Sequence, residues 1–174
     1  MTRAWAIRVA VALSVIGLTA SAVSADAGSA NLSARLSGFS EVPPNLTAGS
    51  GSFHATVQGN SLTYKLSFSN LSATATQSHI HFAQSGVNGG VFLFLCGSAA
   101  TPGPAGTPTC PAAGGTVTRT VTAADLLAVP AQGVAAGDFA GVLRIIRSGD
   151  AYVNVHTTTH PAGEIRGQVQ VGGP

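Results

Sequence analysis

Four of the five histidines fall in two short clusters, Ser78-His79-Ile80-His81 and Val155-His156-Thr157-Thr158-Thr159-His160. Neutral imidazole nitrogen is a transition-metal ligand, and an unperturbed pKa of about 6.5 keeps the ring neutral over most of the range above that value. On a strand, residues two apart project from the same face with about 6.6 Å between their Cα atoms. His79 and His81 can therefore aim both rings at one ion while Ile80 and Phe82 turn toward a core. The same alternation through Tyr152-Val153-Asn154-Val155-His156 sets Tyr152, Asn154 and His156 on one face and the two valines on the other. His156 becomes a third ligand if its strand lies beside that of His79, with Asn154 and Tyr152 as its neighbours. His160, just ahead of Pro161 in an expected loop, and His54, opposite Phe53 on an early strand, are further candidates. The other reading of these histidines is structural: polar, solvent-facing rings, or hydrogen-bonded ones that fix a turn.

Glu164 and Arg166 flank Ile165 on one strand face. They could steer an anion or orient a ligand histidine, or simply form a surface salt bridge. Glu41-Val42-Pro43-Pro44 reads as an extended segment ending an edge strand. The chain has no Gly-x-Ser-x-Gly elbow, no phosphate loop and no close pair of acids, so ordinary hydrolase schemes lack their parts.

The elements that would position these groups are strands. Leu32, Ala34 and Leu36 alternate with polar neighbours, as do Phe53, Ala55 and Val57, then Leu62, Tyr64, Leu66 and Phe68 beyond the turn Gln58-Gly59-Asn60. Further strands are expected at Ser78 to Ala83, Val91 to Cys96, Ala151 to Thr157 and Glu164 to Val171. Six or seven short strands of this kind predict an all-β sandwich or barrel. Two short helices interrupt the pattern, one from Thr122 with an acid at its third helical position, and one over Asp138 to Arg147, which is also compatible with a strand. Cys96 and Cys110 are the only cysteines and flank a Pro/Gly-rich stretch, which predicts a disulfide-closed loop.

At the amino end, Arg3 and Arg8 precede an apolar run from Val9 to Ala20 and then small residues at Val23-Ser24-Ala25. This is the pattern of an export signal over residues 1–25, leaving one domain over 26–174 that is secreted or periplasmic. The run is short of the ~20 residues that span a bilayer, so no membrane span is expected. Of eight basic residues two leave with the signal, whereas all six acids stay, so the mature chain is near neutral. The pI of 8.8 therefore belongs to the precursor, and nothing supports a nucleic-acid partner.

Three ordered motifs carry a family resemblance: Gly38-Phe39-Ser40-Glu41-Val42-Pro43-Pro44; Ser78-His79-Ile80-His81-Phe82 with Gly86-Val87-Asn88-Gly89; and Tyr152 to Thr157 leading to Gly163-Glu164-Ile165-Arg166-Gly167. From about Leu32 to Val171 the chain resembles a CHRD domain, the module named after chordin. The resemblance implies a secreted β-sandwich of immunoglobulin-like or superoxide-dismutase-like form, and it carries no chemistry with it. The site alone is also similar to that of copper/zinc superoxide dismutases, which set a His-x-His strand pair and a later strand histidine around copper. That likeness implies a single metal at His79, His81 and His156, with an arginine such as Arg166 or Arg144 attracting superoxide. This chain lacks the dismutase's histidine-rich zinc loop and its acid.

Spacing does not choose among copper, zinc, iron and nickel; an exported single site is expected to take copper or iron ahead of zinc. Two functions follow. One is a metal-binding module with dismutase-like redox activity toward a small anion such as superoxide. The other is an extracellular protein-interaction module that needs no metal.

Overall fold

The computed structural model describes residues 29–172 together with Met1. The expected export signal, residues 1–25, lies outside the described residues but for Met1. Nine strands form one antiparallel sheet: β1 (Ala30–Ser37), β2 (Ser50–Gln58), β3 (Ser61–Ser69), β4 (Ala75–Phe82), β5 (Gly90–Gly97), β6 (Gly115–Thr122), β7 (Ala151–Thr157), β8 (Ile165–Gln168) and β9 (Gln170–Val171). Their order is β5-β4-β7-β8-β1-β2-β3-β6, with β9 also beside β1. The sheet folds over so that its two halves, β5-β4-β7-β8 and β1-β2-β3-β6, pack their inner faces together and nearly close. The Tyr64 hydroxyl on β3 crosses this interior to donate to the Leu95 carbonyl on β5 at 2.6 Å.

Period-two alternation accounts for the core. Leu32, Leu36, Phe53, Val57, Leu62, Leu66, Ile80, Val153, Val155 and Ile165 are all 3% exposed or less and pack in one cluster. Each such aliphatic or aromatic side chain contributes about 1.5–3 kcal/mol on burial, which is what holds the two halves face to face. The Cys96–Cys110 disulfide closes the Pro/Gly-rich loop as expected. By the chain-entropy model a ring of this length contributes about 3 kcal/mol, anchoring a segment with little core of its own.

Four local expectations change. β6 has no counterpart among the expected strands, because only Val117 and Val121 supply apolar residues to its buried side. The segment after Thr122 forms a single 3-10 turn, Ala123–Asp125, with its capping box in place. It straightens at Leu126 because the Leu127 N–H donates to the Phe92 carbonyl on the edge of β5 at 2.9 Å, so a tertiary bond outweighs helix propagation. The expected strand from Glu164 to Val171 divides in two, β8 pairing with β7 and β9 with β1. The helix over Asp138 to Arg147 is α1 (Phe139–Arg147), capped by Asp138 Oδ1, which accepts from the Gly141 N–H at 2.8 Å. The strand before Glu41 is not an edge: β1 lies between β8 and β2.

Candidate metal centre

β4 and β7 are hydrogen-bonded neighbours, with His79 opposite Asn154, His81 opposite Tyr152 and Gln77 opposite His156. This register places His79, His81, Tyr152, Asn154 and His156 together on the outward face, and Ile80, Val153 and Val155 on the inward one. An outward face normally meets water, yet all seven residues of β7 are buried. Phe94 of β5 sets its ring against His79, with centroids 4.3 Å apart. The 84–89 and 158–163 loops supply the rest of the cover. Gly89 must be glycine here, since a Cβ would collide with the Phe82 carbonyl, and the close approach lets the Gly89 carbonyl reach His81.

His79, His81 and His156 are 5%, 8% and 8% exposed, and one nitrogen from each lies within 4.8 Å of the others. The three histidines could hold a metal ion. The hydrogen bonds fix which nitrogens face the centre. His81 Nδ1 is 2.9 Å from the Gly89 carbonyl and His156 Nδ1 is 3.0 Å from the Pro161 carbonyl. A carbonyl only accepts, so both Nδ1 atoms carry the proton and both Nε2 atoms keep a lone pair. This tautomer lock, through backbone oxygens, is how metal-ligating histidines are usually oriented.

The two Nε2 atoms each lie 3.1 Å from Asn154 Oδ1, and His156 Nε2 lies 3.1 Å from His79 Nδ1. Lone pairs thus converge on a small volume, an arrangement that a cation satisfies. A nitrogen pair 3.1 Å apart matches two ligands each about 2.0 Å from a shared ion. His79 Nε2 is buried with no hydrogen-bond partner, so this ring is held by nothing polar on that side.

Burial disfavours charge on all three rings. His79 is pushed down to about 2, by desolvation first and then by repulsion from His156 and His81. His81 falls to about 4, again through desolvation, with the Gly89 carbonyl opposing it. His156 is lowered for the same reason, opposed by Pro161. All three rings are therefore neutral well below neutral pH.

The structure does not bring every expected residue to this centre. His54 is exposed on β2, in the other half of the sheet. The His160 ring turns toward Ser72, Thr159 and Glu164. Glu164 and Arg166 are not a surface salt bridge: they are 0% and 1% exposed and are not partnered with each other. Burial pushes the Glu164 carboxyl up, but bonds from Thr47, the Ser72 N–H, Thr157 and the Ser72 hydroxyl outweigh this and hold it below the usual carboxylate value. The carboxylate ties three loops together and orients none of the three clustered rings.

The Arg166 guanidinium lies 3.3 Å from the centroid of the Tyr152 ring and donates to the Val87 carbonyl at 2.7 Å and to Asn88 Oδ1 at 3.2 Å. Tyr152 in turn stacks parallel on His81, centroids 4.5 Å apart. Arg166 is thus a support of the 84–89 cover, one ring removed from a candidate ligand. Phe94, Gly89 and Pro161 were not legible as site residues, because two act through backbone carbonyls and the third only by shape. Glu41 is a further omission: it is 5% exposed, its Oε1 lacks a partner, and burial raises it to about 7 against the pull of Arg166.

The CHRD domain family model matches residues 32–169. The chain belongs to the CHRD domain family. The match covers every strand from β2 to β8 and hence the whole histidine cluster of this CHRD domain. No curated protein and no solved structure matches the chain. An intrachain disulfide fits a protein outside the cytoplasm, as the family does, and no helix among the described residues is long and apolar enough to cross a membrane.

Proposed function

We propose that this CHRD domain is an exported metal-binding module, with the ion held by His79, His81 and His156. The observation that carries the reading is the tautomer lock: two ring N–H groups are engaged by backbone carbonyls, which leaves their Nε2 lone pairs turned into a buried cluster with His79. Three neutral rings whose nitrogens converge within a few ångströms, two of them with the lone pair turned inward, are the arrangement a shared cation draws on. Copper or iron is the expected ion, since neutral imidazole donors suit both and the described residues hold one such cluster. Bound metal would supply Lewis acidity and, for these two ions, one-electron chemistry. The protein's own part is to desolvate the ion and fix three nitrogens. Asn154 adds a polar contact to two of them.

Dismutase-like turnover of superoxide is the catalytic form of the proposal. It rests on the ligand pattern alone, and Arg166, buried beneath the 84–89 loop, would act on an anion only after that cover moves. The interaction-module reading draws on a different region, the open Ser- and Thr-rich outer face of β2, β3 and β6, and is compatible with a metal elsewhere.

The test is reconstitution of the metal-free exported protein with Cu(I), Cu(II) or Fe(II), followed by dialysis and elemental analysis, beside a His79→Ala, His81→Ala variant. Near-stoichiometric metal in the parent and none in the variant supports the module. No retained metal in either removes it.

A further inference from the structure

Among the described residues, the nitrogen cluster contains no carboxylate and no thiolate. Both cysteines are tied in the disulfide. Glu164 directs its oxygens to Thr47, Ser72 and Thr157. An ion bound at the three histidines therefore keeps its full charge among rings that are 5–8% exposed. The desolvation cost of an ion grows with the square of its charge, so a divalent ion pays about four times what a monovalent one does before ligand bonds are counted.

A fixed positive charge adds to this bias. Arg166, Tyr152 and His81 form a stack in strand order, with the guanidinium 3.3 Å from the centroid of the tyrosine and the tyrosine 4.5 Å from the imidazole. The stack transmits no bond to the ion, but it sets a cation close behind a ligand in a region of low dielectric, where repulsion rises with the charge of the ion. Glu41 faces the same guanidinium, and its buried carboxyl, raised to about 7, offsets only part of the charge near neutral pH. Coordination number points the same way. Zn2+ in a protein takes four ligands, commonly a water or an anion beside three histidines, whereas a monovalent d10 ion is content with three nitrogens.

Resting on the metal-binding reading above, we propose that the site is selective for a monovalent soft cation, Cu(I), over Cu(II) and Zn(II), and so serves as a cuprous-ion holder. Preference for the reduced ion raises the potential of bound copper and works against cycling between oxidation states. The selectivity comes from missing negative charge, and Asn154 is where it can be reversed. Its Oδ1 lies 3.1 Å from both the His81 and the His156 Nε2 atoms, so Asn154→Asp adds an anion beside the ion with almost no change of shape.

The experiment measures affinities of the metal-free exported protein for Cu(I), under anaerobic reducing conditions against a chromophoric Cu(I) chelator, and for Ag(I), Cu(II) and Zn(II). The same titrations are made on Asn154→Asp and on His79→Ala. Cu(I) and Ag(I) are expected to bind at least ~100-fold more tightly than either divalent ion, about 120 mV for the one-electron copper couple. Asn154→Asp should shrink that ratio by tenfold or more, and His79→Ala should weaken every ion. Divalent binding equal to or tighter than Cu(I) in the parent overturns the selectivity and leaves the metal site standing. An unchanged ratio in a folded Asn154→Asp overturns the charge argument. Failure to bind any of the four ions removes the metal site itself, and this inference with it.

Discussion

On the half of the sheet formed by β1, β2, β3 and β6, outward residues such as His54, Thr63, Lys65, Thr118 and Thr120 stay in water. On the half formed by β4, β7 and β8, the outward residues His79, His81, Asn154, His156 and Arg166 are 8% exposed or less. Both halves share one apolar interior and the same strand alternation. The difference is the cover: loops 84–89 and 158–163 fold over one half and, among the described residues, nothing comparable folds over the other. Polar groups on the open half exchange hydrogen bonds with water or with each other, as Thr63 and Thr120 do at 2.8 Å. Under the cover each polar atom must find a protein partner or a ligand, so the two without one, His79 Nε2 and Glu41 Oε1, mark where the covered half departs from a purely structural layer.

The sharpest break of this contrast is a histidine exchange. His81→Ala should lower metal affinity by at least ~100-fold, whereas His54→Ala on the open face should leave it unchanged; competition titration reads both. Glu164→Ala comes next. It leaves Thr47, Ser72 and Thr157 without their shared acceptor and should destabilise the fold by about 3 kcal/mol in chemical denaturation.

Glu41→Gln separates the two halves through pH. The folded carboxyl is raised to about 7 from 4.5, so the folded state holds the proton more tightly than the unfolded chain. Its stabilising contribution is complete below about pH 4.5 and is lost as pH rises through about 7. The variant should therefore be more stable than the parent by about 3 kcal/mol at pH 8 and close to it near pH 4.5. The clustered histidines work in the opposite sense. Their folded values are lowered, so the metal-free protein should lose stability as pH falls from 6.5 toward 4, a window read by denaturation midpoints across that range. The smallest effect is expected on the open half, where Thr120→Ala should change stability by no more than about 0.5 kcal/mol.

The inner face was legible because hydrophobic alternation is a local property: Leu62, Tyr64, Leu66 and Phe68 announce β3 without help from the rest of the chain. The His-x-His pair and His156 were legible as one face for the same reason. Their being neighbours was not, because the pairing of β4 with β7 joins segments about seventy residues apart. Burial of Glu164 and Arg166 was equally hidden. Alternation says which side of a strand a residue occupies, and only the distant 84–89 loop and Ser72 decide whether that side is wet. The straightened chain at Leu126 belongs to the same class, since the Phe92 carbonyl that captures it lies on a strand thirty-odd residues away.

X-ray absorption at the metal edge of the copper-loaded protein reads directly whether His79, His81 and His156 hold the ion. A first shell of three nitrogens at about 2.0 Å with the outer-shell scattering of imidazole is expected, reduced in His79→Ala. A shell of oxygens alone, or a spectrum that His79→Ala leaves unchanged, would contradict it.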